Sequence, residues 1–315
     1  MKRFTIGTSI LNSHQIKKKI SNKKIPIWRY PNQIERDYLV NLILLVKQWK
    51  NQMINYIFPY IDELNNESSI QRPTEANKVK SDSINIDDWS DKLDDLIKAY
   101  SIQVNLNEVK ATQQLNFTAH EVSNFNVNQW FKVTNSILGV PLIQYEPYIE
   151  SIIKSFTKEN ISLITNLKDT TVQQVDTTIN RGIKQGLRNE TIKKKLLNGT
   201  DLEKGVFKKV ETRAALIARD QVGKLNGQLT QLRQTGVGIS QYIWRDVNDE
   251  RVRKKHNAMG GRLCKWSDSS VYSPDDGKTW YQRGNIGGVE LHPGQDYRCR
   301  CYAEPNFETI GLDNR

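Results

Sequence analysis

The sequence predicts a mainly α protein that ends in a small α+β C-terminal module. Three observations carry that prediction. Apolar residues recur at steps of three and four from about residue 34 to 233. At 239 the texture changes to alternating β-branched and aromatic residues followed by glycine-rich turns. All three cysteines, and two of the four histidines, then fall in the last fifth of the chain.

The chain has 315 residues, enough for one large domain or two ordinary ones. Its apolar share of 37% is below the globular average, so folded parts should alternate with polar, loosely packed segments. Lys and Arg number 46 against 35 acids, a net charge of +11, which favours nucleic acid or another acidic surface as a neighbour. Colloidal solubility explains the same charge equally well. Three cysteines do not make a disulfide framework, and Cys299 and Cys301 are too close in sequence to bridge without unusual strain. A reducing compartment is the simpler expectation. No run of about 18 apolar residues is present, so neither a membrane span nor a cleavable signal is expected.

Residues 1–34 hold eight Lys or Arg and no acid, including Lys17, Lys18 and Lys19, and read as a basic arm. A helical region over 35–145 follows. Ile34, Tyr38, Leu42, Leu45, Trp49, Met53 and Tyr56 mark one apolar stripe, which Leu39, Ile43 and Val46 widen. Asn32 is a fair N-cap and Pro59 an expected stop. The neighbours of this helix are too polar to cover it on every side, which implies a second copy or another protein against it. Residues near 65–84 are polar and aperiodic, a linker. Helices are then expected from Trp89 to Tyr100 and from about 108 to Gly139. The paired aspartates at 87/88 and 94/95 diverge on a helix and read as a solvated face rather than a metal site.

Residues 146–305 form the next region, helical to about 235, with the α+β module over 236–305 and a tail over 306–315. Four helical runs are expected before 235, the last with Thr212 as N-cap. Ala214, Ala215 and Ala218 would let it pack closely. "ISQYIWRDV" reads as a strand, "DERVRKKHNAMGG" as a helical turn or two, and "SPDDGKTW" and "RGNIGGVELHPG" as turns.

These residues carry a resemblance. "TRAALIARDQVGKLNGQLTQLRQTGVGISQYIWRDVNDERVRKKHNAMGG" followed by "HPGQDYRCRCYAEP" resembles the phage Mu F-like minor head proteins. The matching parts are Ala218-Arg219-Asp220, Gly236, Trp244, "DERVRKKH" with Asp249, and "PGQDYRCRC" with Pro293, Gly294, Asp296 and Arg300. The likeness covers roughly 130–305 and is best after 210. Asp220 stands where the family more often has Glu, and Arg253 and His256 stand where some relatives carry a Cys-x-x-Cys pair. The resemblance implies a structural virion component of few copies, made in the host cytoplasm. Such a protein lies inside the head near the portal, with the portal protein, other capsid components and packaged DNA as partners and no membrane.

For the cysteine and histidine cluster two readings stand side by side. Zinc takes four thiolate or imidazole ligands, which His256, Cys264, Cys299 and Cys301 could supply, with His292 in reserve. Alternatively the cysteines are small buried hydrophobes. Tyr297–Tyr302 is then a strand pairing beside "SQYIWRDV", and His256 bonds a carboxylate such as Asp246 or Asp249. Enzymatic use of the cluster, as a DNA-processing or toxin-like activity, is a further reading that lacks a recognisable nucleophile elbow or phosphate loop. Lys193, Lys194, Lys195, Arg251, Arg253, Lys254 and Lys255 are candidate contacts to DNA phosphate without sequence preference. The expectation is therefore a structural protein and not an enzyme.

Overall fold

The structure is a computed structural model that describes residues 24–68, 86–105, 108–142, 146–199, 203–246 and 252–310. The basic arm through Lys17, Lys18 and Lys19, most of the 65–84 linker, Asp249 and Arg251 lie outside the described residues. The α-helices are α1 (Asn32–Ser68), α2 (Ile86–Gln103), α3 (Glu108–Leu138), α4 (Ile149–Lys184), α5 (Asn189–Leu197), α6 (Val206–Gly236) and the single turn α7 (Lys254–Asn257). The fold is mainly α, and the small sheet follows them.

Helix ends differ from the sequence reading in instructive ways. Pro59 does not stop α1, which runs on to Ser68. A proline inside a helix forfeits one hydrogen bond, but Ile57 and Ile61 on either side are fully buried, and that burial holds the helix together. The first two of the four runs expected before 235 are one continuous helix, α4. Thr212 caps nothing: α6 begins at Val206, and the Thr212 hydroxyl donates to Lys208 O within the helix at 2.9 Å. By contrast, α3 ends at Leu138 before Gly139, and α6 ends at Gly236, where the glycines were placed as breaks.

Two compact units divide the chain, and neither is contiguous in sequence. One comprises 37–113 and 158–218. In it the α1 stripe is buried along Tyr38, Leu42, Val46, Trp49, Met53, Ile57 and Ile61. The polar ends of this core find partners, as buried groups must. Tyr38 donates to Asn160 Oδ1 at 2.6 Å, Tyr100 donates to Trp49 O at 3.2 Å, and the Asn189 amide donates to Ile61 O.

The other unit comprises 1–36, 114–157 and 219–315. It holds a five-stranded antiparallel sheet of order β4-β3-β2-β1-β5, with β1 Gln241–Arg245, β2 Leu263–Lys265, β3 Asp268–Ser273, β4 Tyr281–Gln282 and β5 Tyr302–Pro305. The alternation in "QYIWR" is the reason β1 is central, since Tyr242 and Trp244 are fully buried while their neighbours are not. One core cluster joins Trp28, Trp130, Val133 and Ile137 to Ile239 and Phe307. A second, under the sheet, gathers Tyr242, Trp244, Met259, Cys264, Trp266 and Tyr272. Gln234, at the end of α6 and fully buried, ties helix to sheet: its amide donates to Ala303 O at 2.8 Å and its carbonyl accepts from Trp266 Nε1 at 3.1 Å. Arg233 beside it is 1% exposed and is held by Glu146 at 2.7 and 3.0 Å, by Asn126 Oδ1 and by Ser123.

The segment expected as a closing strand is a correction. Residues 293–298 are turns and the strand begins only at Tyr302, pairing with β1 through Trp244↔Ala303 and Arg245↔Tyr302. Arg298 adopts a positive φ of 54°, which breaks the extended backbone a strand needs. Cys299, Arg300 and Cys301 therefore lie on a non-strand segment, and the two thiols do not share a strand face.

Candidate functional site

Three chain segments build the site, all in the unit that contains the sheet. The turn α7 supplies His256, placed on the buried side between exposed Lys254, Lys255 and Asn257. The loop "HPGQDYRCRC" supplies Asp296, Cys299 and Cys301. Helix α6 is the floor on which that loop sits. Gly294 has φ +88°, and a Cβ on Gly227 of α6 would lie 2.7 Å from Pro293 O. Only glycine at 227 allows the loop backbone this close to the helix. Asp220, two turns earlier on α6, accepts the Arg298 N–H at 3.2 Å and pairs with Lys224 at 2.8 Å. It thus pins the loop at its positive-φ residue.

At the centre, His256 Nδ1 lies 3.3 Å from Cys301 Sγ and 3.6 Å from Cys299 Sγ. On the opposite side of the ring, His256 Nε2 is 2.7 Å from Asp296 Oδ2. Arg253 Nη2 also stands 2.9 Å from Nε2, but its N–H groups have acceptors in Tyr297 O and Asp296, and a carboxylate only accepts, so Nε2 is assigned the proton and Nδ1 faces the two sulfurs. Asp296 is itself fixed by the Tyr297 N–H at 2.7 Å and by Arg253 at 2.9 Å, and Arg253 also donates to Tyr297 O at 2.6 Å. The Gly294 N–H approaches Cys299 Sγ at 3.4 Å. Trp244, whose ring stands edge-on to His256 at 5.8 Å, is fully buried, and its Nε1 has no nitrogen or oxygen acceptor among the described residues.

The electrostatics follow from this geometry. A hydrogen bond from Cys301, then that of His256 and its charge, hold the Cys299 thiol well below its ordinary range despite burial. Cys301 moves the other way, because it donates to Cys299 and because it is buried. For His256, burial resists charging, but the bond and charge of Cys299 together with Asp296 outweigh it and raise the pKa. Burial works against ionisation of Asp296 as well, yet His256, the Tyr297 N–H and Arg253 leave its pKa below the usual value. The first ionisation of the cluster thus rests on Cys299 facing an imidazolium.

The residues singled out in the sequence divide sharply. His256, Cys299 and Cys301 come together, their ligand atoms all within 4.8 Å of one another. Cys264 does not join them. It sits on β2 opposite Tyr242, its thiol directed to Arg262 O at 3.7 Å and pushed up to about 11 by burial. The register of β2 against β1 places it under the sheet rather than beside the loop. His292 is also apart: its Nδ1 meets the Tyr242 hydroxyl at 2.9 Å. Among the described residues the carboxylate at hydrogen-bond distance from His256 is Asp296, because the loop folds back over α7; Asp249, also expected, lies outside the described residues. All three cysteines are free thiols.

Of the basic candidates, Lys193 pairs with Asp62 and lies over the Phe58 ring, and Arg253 serves Asp296. Lys194, Lys254 and Lys255 are exposed, while Lys195 is half-buried. Consecutive helical residues diverge, so the "KKK" run does not present one face. Sequence reading missed Arg283 altogether. Its guanidinium is fully buried and donates to Val271 O, Val289 O, Leu291 O and the Tyr242 hydroxyl. The one available signal was an arginine standing before the glycine-rich "GNIGG".

Residues 173–304 match the family described as Phage Mu protein F like protein. Over this stretch the chain is similar to that family. The stretch runs from within α4 through the sheet to β5, and so contains the whole His256–Cys299–Cys301 cluster and the α6 floor beneath it. The chain is also 31% identical over 170 residues to an uncharacterized protein of Haemophilus influenzae, a match covering 53% of this chain and 33% of that one. The chain thus spans about a third of the length of the curated relative it matches. No solved structure matches. Among the described residues no helix is long and apolar enough to cross a membrane.

Proposed function

We propose that this protein is a minor head protein of a tailed bacteriophage, acting in head morphogenesis at the portal vertex beside packaged DNA. The observation that carries the reading is the Mu F-like match over 173–304, which includes the motif residues Trp244, His256, Pro293, Gly294, Asp296, Cys299 and Cys301. The net charge of +11 and exposed lysines such as Lys194, Lys254 and Lys255 suit a sequence-blind contact with phosphate. Val40 and Leu44, 55% and 56% exposed and one helical turn apart on α1, suit contact with a capsid partner or a second copy.

The test is to delete the coding sequence from its phage and supply it in trans. Particles made without it should be defective or uninfectious, and complete particles should contain the protein at one vertex of the head. Normal, infectious particles lacking the protein would refute the assignment. A DNA-processing or toxin-like enzyme is the second reading, favoured only by the lowered Cys299 thiol. That sulfur belongs to a residue 4% exposed, which suits a structural cluster better than an attacking group. If Cys299→Ser assembles normal particles but abolishes an activity on nucleic acid, the enzyme reading replaces the structural one.

A further inference from the structure

We propose that His256 Nδ1, Cys299 Sγ and Cys301 Sγ are three ligands of one zinc-class ion, with Asp296 orienting the imidazole from behind. Cys264 takes no part.

The first argument is one of size. With Zn–N of about 2.0–2.1 Å and Zn–S of about 2.3 Å, a tetrahedral ion separates a nitrogen from a sulfur ligand by roughly 3.6 Å. The observed separations are 3.3 and 3.6 Å. Hydrogen bonds to sulfur span the same range, so what favours an ion is the convergence of all three ligand atoms, which lie within 4.8 Å of one another and can be reached from one point. A second argument is the carboxylate. Metal-bound histidines donate their other ring N–H to a carboxylate or carbonyl, which fixes the tautomer and strengthens the ligand. Asp296 stands in that place at 2.7 Å and is locked there by Arg253 and the Tyr297 N–H. The third argument is the remaining position. Beside the two sulfurs is a cavity of about 10 Å³, lined by Tyr30, Asn226, Thr230 and Gly294 among others. That is about the volume needed for one water, which could complete the coordination shell. Both cysteines would bind as thiolates, their protons passing to solvent. Thiolate and imidazole together select zinc-class ions over magnesium or calcium.

The inference does not depend on the role in head assembly and is tested without it. Full-length protein, stripped with a chelator and kept reduced, is titrated with cobalt(II). One cobalt per chain should bind, with a thiolate-to-cobalt charge-transfer band and the visible bands of a tetrahedral ion, and zinc should bleach both. Cys299→Ser and Cys301→Ser should each diminish the charge-transfer band, whereas Cys264→Ser should leave it intact. Asp296→Asn should keep the band while loosening the ion by about 10–100-fold. The parent spectrum requires no variant to fold, and circular dichroism of each variant separates loss of a ligand from loss of structure. No charge-transfer band in the parent would overturn the site. So would a band that survives both Cys299→Ser and Cys301→Ser but disappears in Cys264→Ser. A parent without the band whose Cys301→Ser variant melts lower would leave a hydrogen-bonded clasp in place of the metal.

Discussion

Replacing Arg283 with alanine should markedly weaken the sheet-bearing unit. The guanidinium has no carboxylate partner in its hydrogen-bond set. It donates through Nε to Val271 O at 2.9 Å, through Nη1 to Val289 O and Leu291 O at 3.2 and 2.8 Å, and through Nη2 to Tyr242 Oη at 3.1 Å. It also lies 5.6 Å from the centre of the Trp244 ring. These contacts fasten the 283–292 loop to β3 and β1. Truncation leaves the acceptors of Val271, Val289 and Tyr242 buried, since Leu291 O is near solvent. Each unsatisfied buried acceptor costs about 1–3 kcal/mol. Against that, the cost of dehydrating a guanidinium, several kcal/mol in effect, is recovered. A net loss of about 3 kcal/mol is expected. For a unit of this size that corresponds to a fall in melting temperature of roughly 6–12 °C. Arg283→Lys should fall between, because one ammonium cannot reach all of the acceptors. The assay is urea and thermal unfolding of the full chain by near-ultraviolet circular dichroism, which reports on the packed Tyr242, Trp244 and Trp266. A loss below about 1 kcal/mol for Arg283→Ala would show that water satisfies these acceptors, and the argument would fail.

Three further outcomes are expected. Gly227→Ala should destabilise by about 1–3 kcal/mol although alanine favours helix, because its Cβ would meet Pro293 O at 2.7 Å. Gly223→Ala, with 3.2 Å to Cys299 O, should cost less, and reversal of that order in urea melts would refute the close-packing account. His292 is held neutral chiefly by burial and by Arg283, its pKa lowered to about 4, while its Nδ1 accepts from the Tyr242 hydroxyl. Above its unfolded value of about 6.5 the stability is fully present. It is lost as pH falls from there towards about 4, by at most about 3 kcal/mol. His292→Gln should flatten that part of the stability–pH profile, and an unchanged slope would count against it. Glu146→Gln, which removes the charge facing the buried Arg233, should cost about 3 kcal/mol in the same unfolding assay. A loss under about 1 kcal/mol would mean that Asn126 and Ser123 suffice.

The sequence by itself determined the mainly helical character, most helix ends at glycine, the central strand "QYIWR", and the family likeness. Each of these is written in local periodicity or in a short ordered motif, and both survive without knowledge of the fold. It also named His256, Cys299 and Cys301, whose ligand atoms the structure brings within 4.8 Å of one another, together with Cys264, which lies apart. Cys264 is near Cys299 and Cys301 in sequence terms, yet the antiparallel register of β2 on β1 carries it under the sheet. Asp296 was legible as a turn residue and not as the partner of His256, because that contact closes over 40 residues. Arg283, Gln234 and the Arg233–Glu146 pair were illegible for the same reason. A buried polar residue is specified by acceptors on distant segments, and nothing adjacent in the chain distinguishes it from an exposed one. Tertiary structure also decided that α1 should pass through Pro59, since the burial of Ile57 and Ile61 outweighs a single lost backbone bond. Finally, it decided that each compact unit should draw on separated stretches of chain, because packing joins surfaces that complement one another, whatever their order in sequence.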